Sequence, residues 1–276
     1  MLNIKECINE ITKVKTKSYC LIIGGKGTNN ARSPKIWNRI LKRNKINSKM
    51  IPLEVKKNDL SLLLKYLEKD KKFLGGAIAA PYKEYVFNYL KKRVDLLSKK
   101  IGSVNCIFKK NKIEGINTDG LAFYETLKKN KVSKSFNKIM LLGYGGAGKA
   151  TLVYLRKYFS KKTIIYCASR KNFSKNINNI GCKWIPWTKR NEFFKKCNLI
   201  VNSTSLGYAD KKKRLPIKIY KNENLKIVYD VIYNPIKTNL IKISKKFGLK
   251  TINGLDMNML QAHLAIKKVI KQKIKI

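Results

Sequence analysis

One glycine-rich segment constrains the fold of this chain more than any other part of its sequence. The apolar run Ile139-Met-Leu-Leu142 leads directly into Gly143-Tyr-Gly-Gly-Ala-Gly148, and a helix-compatible stretch begins at Lys149. A G-x-G-x-x-G pattern between a strand and a helix is typical of dinucleotide binding, because its glycines allow a tight turn and a close approach of backbone to a pyrophosphate. The helix N-terminus adds N–H groups and the positive end of its dipole. The alternative is a glycine-rich turn without a ligand. We predict cofactor contacts at Gly143, Gly145, Gly146, Ala147 and Gly148.

The end of the next strand favours one dinucleotide over the other. The chain there reads Tyr166-Cys-Ala-Ser169-Arg170-Lys171, whereas an acidic residue at this place would suit the free ribose 2′-hydroxyl of NAD. Hydroxyl and cationic side chains suit a 2′-phosphate, and arginine can hold phosphate in a bidentate fork. We therefore expect NADP(H), with Ser169, Arg170 and Lys171 among its contacts. In the alternative interpretation, Arg170 and Lys171 belong only to a lysine-rich surface.

Strand-like apolar runs alternate with helix-length segments along the chain, a pattern typical of α/β folds with mainly parallel sheets. The predicted strands are Tyr19–Ile23, Lys49–Leu53, Leu74–Ala79, Val104–Phe108, Lys138–Leu142, Thr163–Tyr166, Leu199–Asn202 and Ile227–Val231. Predicted helices include Leu60–Leu67, Tyr85–Lys91, Leu121–Lys129, Lys149–Phe159, Leu240–Phe247, Met257–Ile270 and a short amphipathic helix within Met1–Ser18.

The polar, lysine-rich stretch Asn130–Asn137 before the glycine loop indicates two structural units. We predict a substrate-binding and catalytic domain over residues 1–120 and a dinucleotide-binding domain over residues 121–253. Residues 254–276 are expected to form a C-terminal helix that returns to the first domain.

The composition is strongly basic, with 62 Lys and Arg against 16 Asp and Glu in 276 residues, a formal charge of +46. Clustered cations with interleaved aromatic residues would indicate nucleic-acid binding. Here the excess is nearly all lysine, spread along the whole chain and accompanied by abundant Asn and Ile. A solvated lysine surface explains this pattern, and its positive field would attract a small anionic substrate. A nucleic-acid-binding protein stays the alternative outside enzymology.

The cysteines and the first residues of the chain indicate the cellular compartment in which the protein is expected. The six cysteines are scattered and form no C-x-x-C pair, and His263 is the only histidine. We interpret the cysteines as reduced core thiols, and His263 as a packing or hydrogen-bonded residue rather than a catalytic base. The first residues mix Lys and Glu, and no apolar run is long enough to span a bilayer. We expect a cytoplasmic protein without a metal or a membrane anchor, either a monomer or a homodimer.

A second set of candidate residues lies in the first half of the chain. Pro81-Tyr-Lys83-Glu84 and Asn117-Thr-Asp119-Gly120 each combine turn-formers with reactive groups. A lysine held near a carboxylate and partly desolvated can exchange protons, so Lys83 and Asp119 form a possible acid/base pair. The alternative is that Lys83 is one more surface lysine.

The order of these motifs resembles the shikimate dehydrogenase family from about Tyr19 to the end of the chain. No single motif is decisive, but the set is specific. The matching segments are Ser33-Pro34, Pro81-Tyr-Lys83-Glu84, Ile101-Gly-Ser-Val-Asn105, Asn117-Thr-Asp119-Gly120, Gly143–Gly148, Val201-Asn-Ser-Thr-Ser-Leu-Gly207, Tyr229-Asp-Val-Ile-Tyr233-Asn-Pro235, Asn253-Gly254-Leu-Asp-Met257 and Gln261-Ala262.

The resemblance implies a three-layer α/β substrate domain, a Rossmann-like NADP-binding domain and an active site in the cleft between them. It implies that Lys83 and Asp119 move a proton at the C3 oxygen of the substrate while NADPH delivers hydride to C3, in the pathway to chorismate and the aromatic amino acids. The other implied substrate contacts are Ser33, Asn105, Tyr233 and Gln261. The other implied cofactor contacts are Thr204, Val231, Gly254 and Met257.

The sequence departs from the family pattern at three alanines. The family's H-S-x-S-P segment reads Asn30-Ala31-Arg32-Ser33-Pro34 here, and its N-V-T-x-P segment reads Ala77-Ile78-Ala79-Ala80-Pro81. Each hydrogen bond lost to a bound anion or hydroxyl weakens binding by about 1–3 kcal/mol. Three interpretations follow: a slow shikimate dehydrogenase, a dehydrogenase for quinate or another cyclic hydroxy acid, or a decayed enzyme. We expect Arg32, beside Ser33, to pair with the substrate carboxylate in place of the missing hydroxyl.

Overall fold

The computed structural model describes residues 1–208, 213–220, 222–270 and 274, and the chain divides into two compact units. The first unit comprises Met1–Thr118 and Met259–Ile276, and the second comprises Asp119–Asn258. Each unit holds its own β-sheet with helices packed on it. The division at 120/121 and 253/254 with its assigned roles stays a prediction, and part of the segment 254–276 lies outside the described residues.

The first unit is built on a five-stranded sheet whose order is β2-β1-β3-β4-β5. β1 pairs in parallel with β2 and β3, whereas β4 is antiparallel to both of its neighbours. The strands are β1 Ser18–Gly24, β2 Ser48–Glu54, β3 Phe73–Ile78, β4 Cys106–Lys109 and β5 Ile113–Ile116. The α-helices that begin in this unit are α1 Ile4–Thr12, α2 Ser33–Arg43, α3 Leu60–Lys69, α4 Lys83–Leu90 and α5 Leu96–Ile101.

Strand alternation divides the core of the first unit between the two faces of its sheet. Tyr19, Leu21 and Ile23 of β1 point into one apolar cluster, with helix α3, whereas Cys20 and Ile22 point into the other, with helix α2. A period of two is what pleating imposes on a strand, so a strand buried on both faces reads as a continuous apolar run. This is why the sequence pattern located β1 so well.

The second unit is built on a six-stranded, wholly parallel sheet whose order is β11-β10-β9-β6-β7-β8. Its strands are β6 Lys138–Leu142, β7 Ile164–Ser169, β8 Lys183–Pro186, β9 Leu199–Asn202, β10 Ile227–Asp230 and β11 Lys250–Asn253. Its helices are α6 Asp119–Lys129, α7 Gly146–Tyr158, α8 Ser174–Asn178, α9 Arg190–Phe194 and α10 Asn239–Lys246, and α11 Leu255–Val269 begins in this unit and ends in the first.

The strand order of the second unit is that of the doubly wound dinucleotide-binding fold. The order runs outward from β6 through β7 and β8 on one side, and through β9, β10 and β11 on the other. The strand order therefore reverses between β6 and β9, and ligands of such sheets bind outside the carboxyl ends of the strands at this switch point. The predicted α/β fold with mainly parallel sheets is confirmed.

Predicted and observed boundaries agree best in the centre of the second unit. β6 and β9 have the predicted limits, whereas β4 begins two residues after the predicted Val104, and α7 begins at Gly146 rather than Lys149. A glycine-rich helix start is hard to predict, because glycine has low helix propensity. Gly145 also has no side chain that could mark the start of α7 as a cap. The pattern missed the short edge strands β5, β8 and β11.

The first residues form a helix, as expected. Asn3 caps α1 by accepting from the Glu6 backbone N–H at 3.0 Å, and the Glu6 carboxylate accepts from the Asn3 N–H at 2.7 Å. This reciprocal capping box satisfies donors that a helix start leaves unpaired. Within the described ranges, no helix is long and apolar enough to cross a membrane.

Candidate active site

Several predicted cofactor contacts directly follow one row of paired residues across the parallel sheet. Register pairs Leu142 with Ala168 and with Asn202, and pairs Asp230 with Asn202 and with Asn253. The chain leaves the sheet immediately after Leu142, Asn202, Asp230 and Asn253, and one residue after Ala168, because β7 ends at Ser169. The predicted contacts Ser169, Gly143, Val231 and Gly254 are the first residues beyond the row, and Thr204 is the second residue beyond it.

The glycine loop after β6 is closed so tightly that two of its glycines leave no room for a Cβ. Gly143 has φ +96°, and a Cβ there would lie 2.9 Å from Thr204 Cγ2. At Gly148 an added Cβ would lie 2.4 Å from the Gly143 carbonyl oxygen, so the helix start packs directly on the turn. Gly145 differs, because a Cβ there would meet no described atom within 4 Å. The loop is therefore tight on its inner side and open at Gly145, as a pyrophosphate cradle requires.

Ser203, which the sequence analysis did not single out, supports the loop from the neighbouring strand. Its hydroxyl lies 2.8 Å from the Leu142 carbonyl oxygen and 3.0 Å from the Gly143 carbonyl oxygen. Gly143 N–H donates to the Ala168 carbonyl at 2.9 Å, which ties the same loop to β7. The loop conformation is thus fixed by both strands next to β6. Gly146 and Ala147, the next predicted contacts along the motif, lie in the first turn of α7.

The turn after β7 presents two cations to solvent. The Ser169 side chain is buried, and its hydroxyl donates to the Lys171 carbonyl at 2.7 Å while accepting from Trp184 Nε1–H at 2.8 Å. Arg170 and Lys171 are exposed. The cations are therefore accessible to a phosphate, whereas the Ser169 hydroxyl is engaged in shaping the turn.

A buried carboxylate organises the loops that follow β9 and β10. Asp230 is fully buried and accepts from Asn202 Nδ2 at 3.0 Å, Ile232 N–H at 3.1 Å and the Thr238 hydroxyl at 2.6 Å. Asn202 Oδ1 in turn accepts from the backbone N–H of Thr204 at 3.0 Å and from its hydroxyl at 2.7 Å. Burial raises the pKa of Asp230 to about 6, and the three hydrogen bonds oppose that shift.

Asp230 was absent from the predicted site residues, although one signal marked it. It is an acidic residue that directly ends an apolar strand, within the quoted segment Tyr229–Pro235. Through Ile232 it holds the loop that contains Val231 and the half-buried Tyr233. The same loop accepts the Gly254 N–H at the Ile232 carbonyl, at 3.0 Å. Met257, in the first turns of α11, is buried.

The first unit gathers its predicted residues at one edge of its own sheet. β3 ends at Ile78, whose N–H donates to the Asn105 carbonyl at 2.8 Å, and the antiparallel β4 begins just after Asn105. β5 ends at Ile116, whose carbonyl accepts the Asn105 N–H at 3.1 Å. The Lys83 segment, Asn105 and Asn117–Thr118 therefore lie at the same sheet edge.

Asn105 is the centre of a buried polar cluster in this unit. Its Nδ2 donates to Gln261 Oε1 at 3.2 Å and to the Thr118 hydroxyl at 2.9 Å, and its Oδ1 accepts from Thr118 N–H at 2.7 Å. The Thr118 hydroxyl also lies 3.1 Å from the Gln261 carbonyl oxygen. Two residues separated by 156 positions, Asn105 and Gln261, are thus brought into contact. Thr118 was within a quoted motif but was not among the predicted contacts.

The remaining predicted residues are distributed over both units. Lys83 is half-buried at the start of α4, and Ser33 is buried at the start of α2, both in the first unit. Asp119 is buried as the first residue of α6 in the second unit, which also holds Tyr233. The structure therefore assigns the proposed acid/base pair to two different units.

The three alanines that depart from the family pattern share one environment. Ala77 is buried within the apolar cluster that contains Cys20 and Trp37, and Ala31 and Ala79 are half-buried against that same cluster. Positions 31 and 77, which are 46 residues apart along the chain, thus face one apolar region. Arg32 is half-buried and precedes α2.

In the part of the chain that the structure describes, the cysteines and His263 fit no nucleophilic or metal site. All six cysteines are free and buried, and burial raises the pKa of each thiol, for instance that of Cys20 to about 12. A thiol is inert under these conditions, because the thiolate is the nucleophile. Burial and the nearby Lys267 lower the pKa of His263. Among the described residues, no group of three or more His, Cys, Asp or Glu side chains could hold a metal ion.

The doubly wound sheet, with its switch point between β6 and β9 and five loops at the carboxyl ends of its strands, places the chain in the class of dinucleotide-binding α/β proteins. Comparison with known proteins narrows that class. Residues 23–107 match the family model described as the shikimate dehydrogenase substrate binding domain. The Shikimate dehydrogenase (NADP(+)) of Clostridium beijerinckii is 35% identical over 245 residues, 86% of this chain and 87% of that protein.

Two further relatives support the same family. The Shikimate dehydrogenase (NADP(+)) of Dictyoglomus thermophilum is 34% identical over 232 residues, 79% of this chain and 78% of that protein. The crystal structure of Shikimate Dehydrogenase 1 from Peptoclostridium difficile superposes with a TM-score of 0.80 at 28% identity, over 94% of this chain and 93% of that one. The chain belongs to the shikimate dehydrogenase family, which confirms the resemblance noted in its motifs.

The glycine loop predicts different defects for two alanine substitutions. Gly148→Ala is expected to lower the melting temperature, because its Cβ would collide with the backbone of Gly143. Gly145→Ala, its matched control, is expected to leave the melting temperature unchanged and to weaken NADPH binding by about tenfold or more, since its Cβ enters the open side of the loop. Calorimetric melting and titration measure both effects. Unaltered NADPH affinity in folded Gly145→Ala would contradict the location of the cofactor.

The raised pKa of Asp230 predicts a pH-dependent stability difference. A carboxyl whose pKa is higher in the folded than in the unfolded state destabilises the fold as pH rises between the two values, here from about 4 to about 6. Relative to Asp230→Asn, which does not ionise, the wild-type free energy of unfolding should fall by ~2 kcal/mol between about pH 4.5 and about pH 7.5. Urea denaturation at both pH values measures it. A difference that is constant or of opposite sign would contradict the burial of an ionisable Asp230.

Proposed function

We propose that this protein is an NADP-dependent shikimate dehydrogenase, which interconverts shikimate and 3-dehydroshikimate with NADP⁺ and NADPH. One observation carries the proposal. Asn105, which is buried, and Gln261, which is half-buried, are two residues that the family resemblance assigns to the substrate, and they lie in one hydrogen-bonded cluster although 156 positions separate them. The cluster lies at the sheet edge from which the Lys83 segment also departs. Two relatives that carry the name of this activity are 34–35% identical to this chain, which supports the same reaction here.

The reaction removes hydride from C3 of shikimate and a proton from the C3 hydroxyl, giving a ketone, NADPH and H⁺. Bound NADP(H) supplies the hydride chemistry. Lys83 and Asp119 serve as the pair that takes the proton from the C3 oxygen in oxidation and returns it in reduction. Asn105 and Gln261 orient the ring hydroxyls, and Ser33 and Tyr233 bind the carboxylate. Orientation of this kind lowers the barrier, because bound groups meet without a further loss of translational freedom.

The residues around the glycine loop fit NADP(H). Gly145 leaves open space beside the loop, and Gly146 starts a helix whose N-terminus attracts anionic oxygens. Arg170 and Lys171 are exposed at the adjacent turn, where a 2′-phosphate would lie. Thr204, Val231, Gly254 and Met257 complete the proposed contacts. The partner molecules are accordingly a small anionic substrate and an anionic cofactor, both attracted by the net charge of +46.

A second candidate function is oxidation of quinate or another cyclic hydroxy acid. It is favoured by the apolar environment that Ala31, Ala77 and Ala79 share. With alanine where the family carries hydroxyl and amide groups, this part of the first unit offers fewer hydrogen bonds to a polar ring. A cyclic hydroxy acid with fewer hydroxyls than shikimate would lose less affinity there, whereas quinate, which carries an additional hydroxyl, would not gain from this change.

Lys83→Ala is expected to reduce shikimate oxidation by at least ~10²-fold, because it removes the group that takes the proton. NADPH affinity should stay unchanged, since Lys83 lies in the unit without the glycine loop. Initial rates of NADP⁺ reduction measure the effect, and Lys92→Ala, an exposed lysine of the same unit, is the matched control. Equal losses in both variants would contradict a catalytic role for Lys83.

The three alanines predict a gain of affinity when hydroxyls are restored. Ala31→Ser combined with Ala79→Thr should lower the KM for shikimate by about thirtyfold, since each of the two hydrogen bonds to the substrate contributes about 1 kcal/mol. Ala80→Thr, at an exposed neighbouring position, should leave the KM unchanged. An unchanged shikimate KM in the double variant, together with a loss of quinate turnover, would favour the second candidate function.

A further inference from the structure

Trp184 makes a specific contact with the turn that carries the two exposed cations. β7 and β8 are parallel, and their register sets Trp184 opposite Cys167. Side chains two positions apart on a strand point to the same face, so Trp184 shares a face with both Cys167 and Ser169. The indole is long enough to reach the second position, and its Nε1–H donates to the Ser169 hydroxyl at 2.8 Å.

The Ser169 hydroxyl connects Trp184 to the backbone of the turn through a second hydrogen bond. A serine hydroxyl has one proton to donate and two lone pairs to accept. Ser169 donates its proton to the Lys171 carbonyl at 2.7 Å, and one lone pair accepts from Trp184. Trp184, Ser169 and Lys171 thus form a continuous chain of hydrogen bonds. The chain fixes the direction of the hydroxyl, and the bond to the Lys171 carbonyl fixes the backbone that carries Arg170.

We infer that Trp184 is a positioning residue that sets the preference for NADPH over NADH, acting through Ser169 on the turn that presents Arg170 and Lys171. Without the indole N–H, the Ser169 hydroxyl keeps the Lys171 carbonyl as its acceptor but loses the donor that holds it in place, so the turn loses one of its restraints. The two cations then pay a larger ordering cost when they bind a 2′-phosphate. NADH lacks that phosphate, so its affinity does not depend on the turn. This inference rests on the proposed function only in taking a nicotinamide dinucleotide as the ligand of the second unit.

The test compares two phenylalanine substitutions by calorimetric titration with NADPH and with NADH. Trp184→Phe keeps an aromatic ring and removes the N–H. Trp187→Phe is the matched control, because Trp187 is also half-buried but its ring packs against Arg190, with the guanidinium carbon 4.3 Å from the ring centroid. Ser169→Ala removes the middle of the chain and supplies a second variant. Melting temperatures show that each variant is folded.

Trp184→Phe should reduce the ratio of NADPH affinity to NADH affinity by about fivefold, the effect of losing one hydrogen bond, with NADH affinity unchanged. Ser169→Ala should reduce the ratio by at least as much, and the double variant should show no further loss, because the two residues act in one chain. Trp187→Phe should leave the ratio unchanged.

Two outcomes would overturn the inference while leaving the proposed function intact. One is that the wild-type protein binds NADPH and the ratio of NADPH affinity to NADH affinity is the same in Trp184→Phe. The other is an equal change in Trp187→Phe. Wild-type protein that binds neither dinucleotide would overturn the proposed function as well, so the two failures are distinguishable.

Discussion

Parallel pairing in register is the constraint on which the candidate cofactor site depends. Because β6, β7, β9, β10 and β11 run in the same direction, their carboxyl ends meet at one edge, and Leu142 and Asp230 lie in the same row of paired residues. Five separate stretches of sequence therefore leave the sheet side by side. The reversal of strand order between β6 and β9 separates the helices of the two halves there and leaves room for a ligand.

Buried polar groups then hold those loops in one conformation. Asp230 is costly to bury, which is why its pKa rises to about 6, yet its three donors connect the loops after β9 and β10 with the start of α10. Ser203 and Ser169 do the same for the glycine loop and the turn after β7. In the first unit, Asn105 connects two strand ends to α11. In each case a polar side chain next to the site fixes backbone that carries the proposed ligands.

Local pattern was enough to predict the class of fold and the location of the glycine loop. Buried strands such as β1 and β6 are continuous apolar runs, and the glycine loop has its own signature. The edge strands were missed for a physical reason: β8, Lys183–Pro186, and β11, Lys250–Asn253, are four residues long and polar at their exposed positions. A short edge strand exists because its neighbour pairs with it, and that neighbour is distant in sequence.

The supporting residues were harder to predict than the proposed ligands. Trp184 is a half-buried aromatic residue whose bond to Ser169 depends on the register of β7 with β8. Thr118 contacts Asn105 and Gln261 only because β4 and β5 form a hairpin against α11. The alanines at 31, 77 and 79 depart from the family pattern in two separate segments, and the structure places all three at one apolar cluster.

Initial rates of NADP⁺ reduction by the wild-type protein, with shikimate and with quinate in parallel, test the proposed activity most directly. We expect turnover that depends on shikimate and exceeds that with quinate at equal concentration. Protein that binds NADPH but reduces NADP⁺ with neither acid, or with quinate faster than with shikimate, would contradict it.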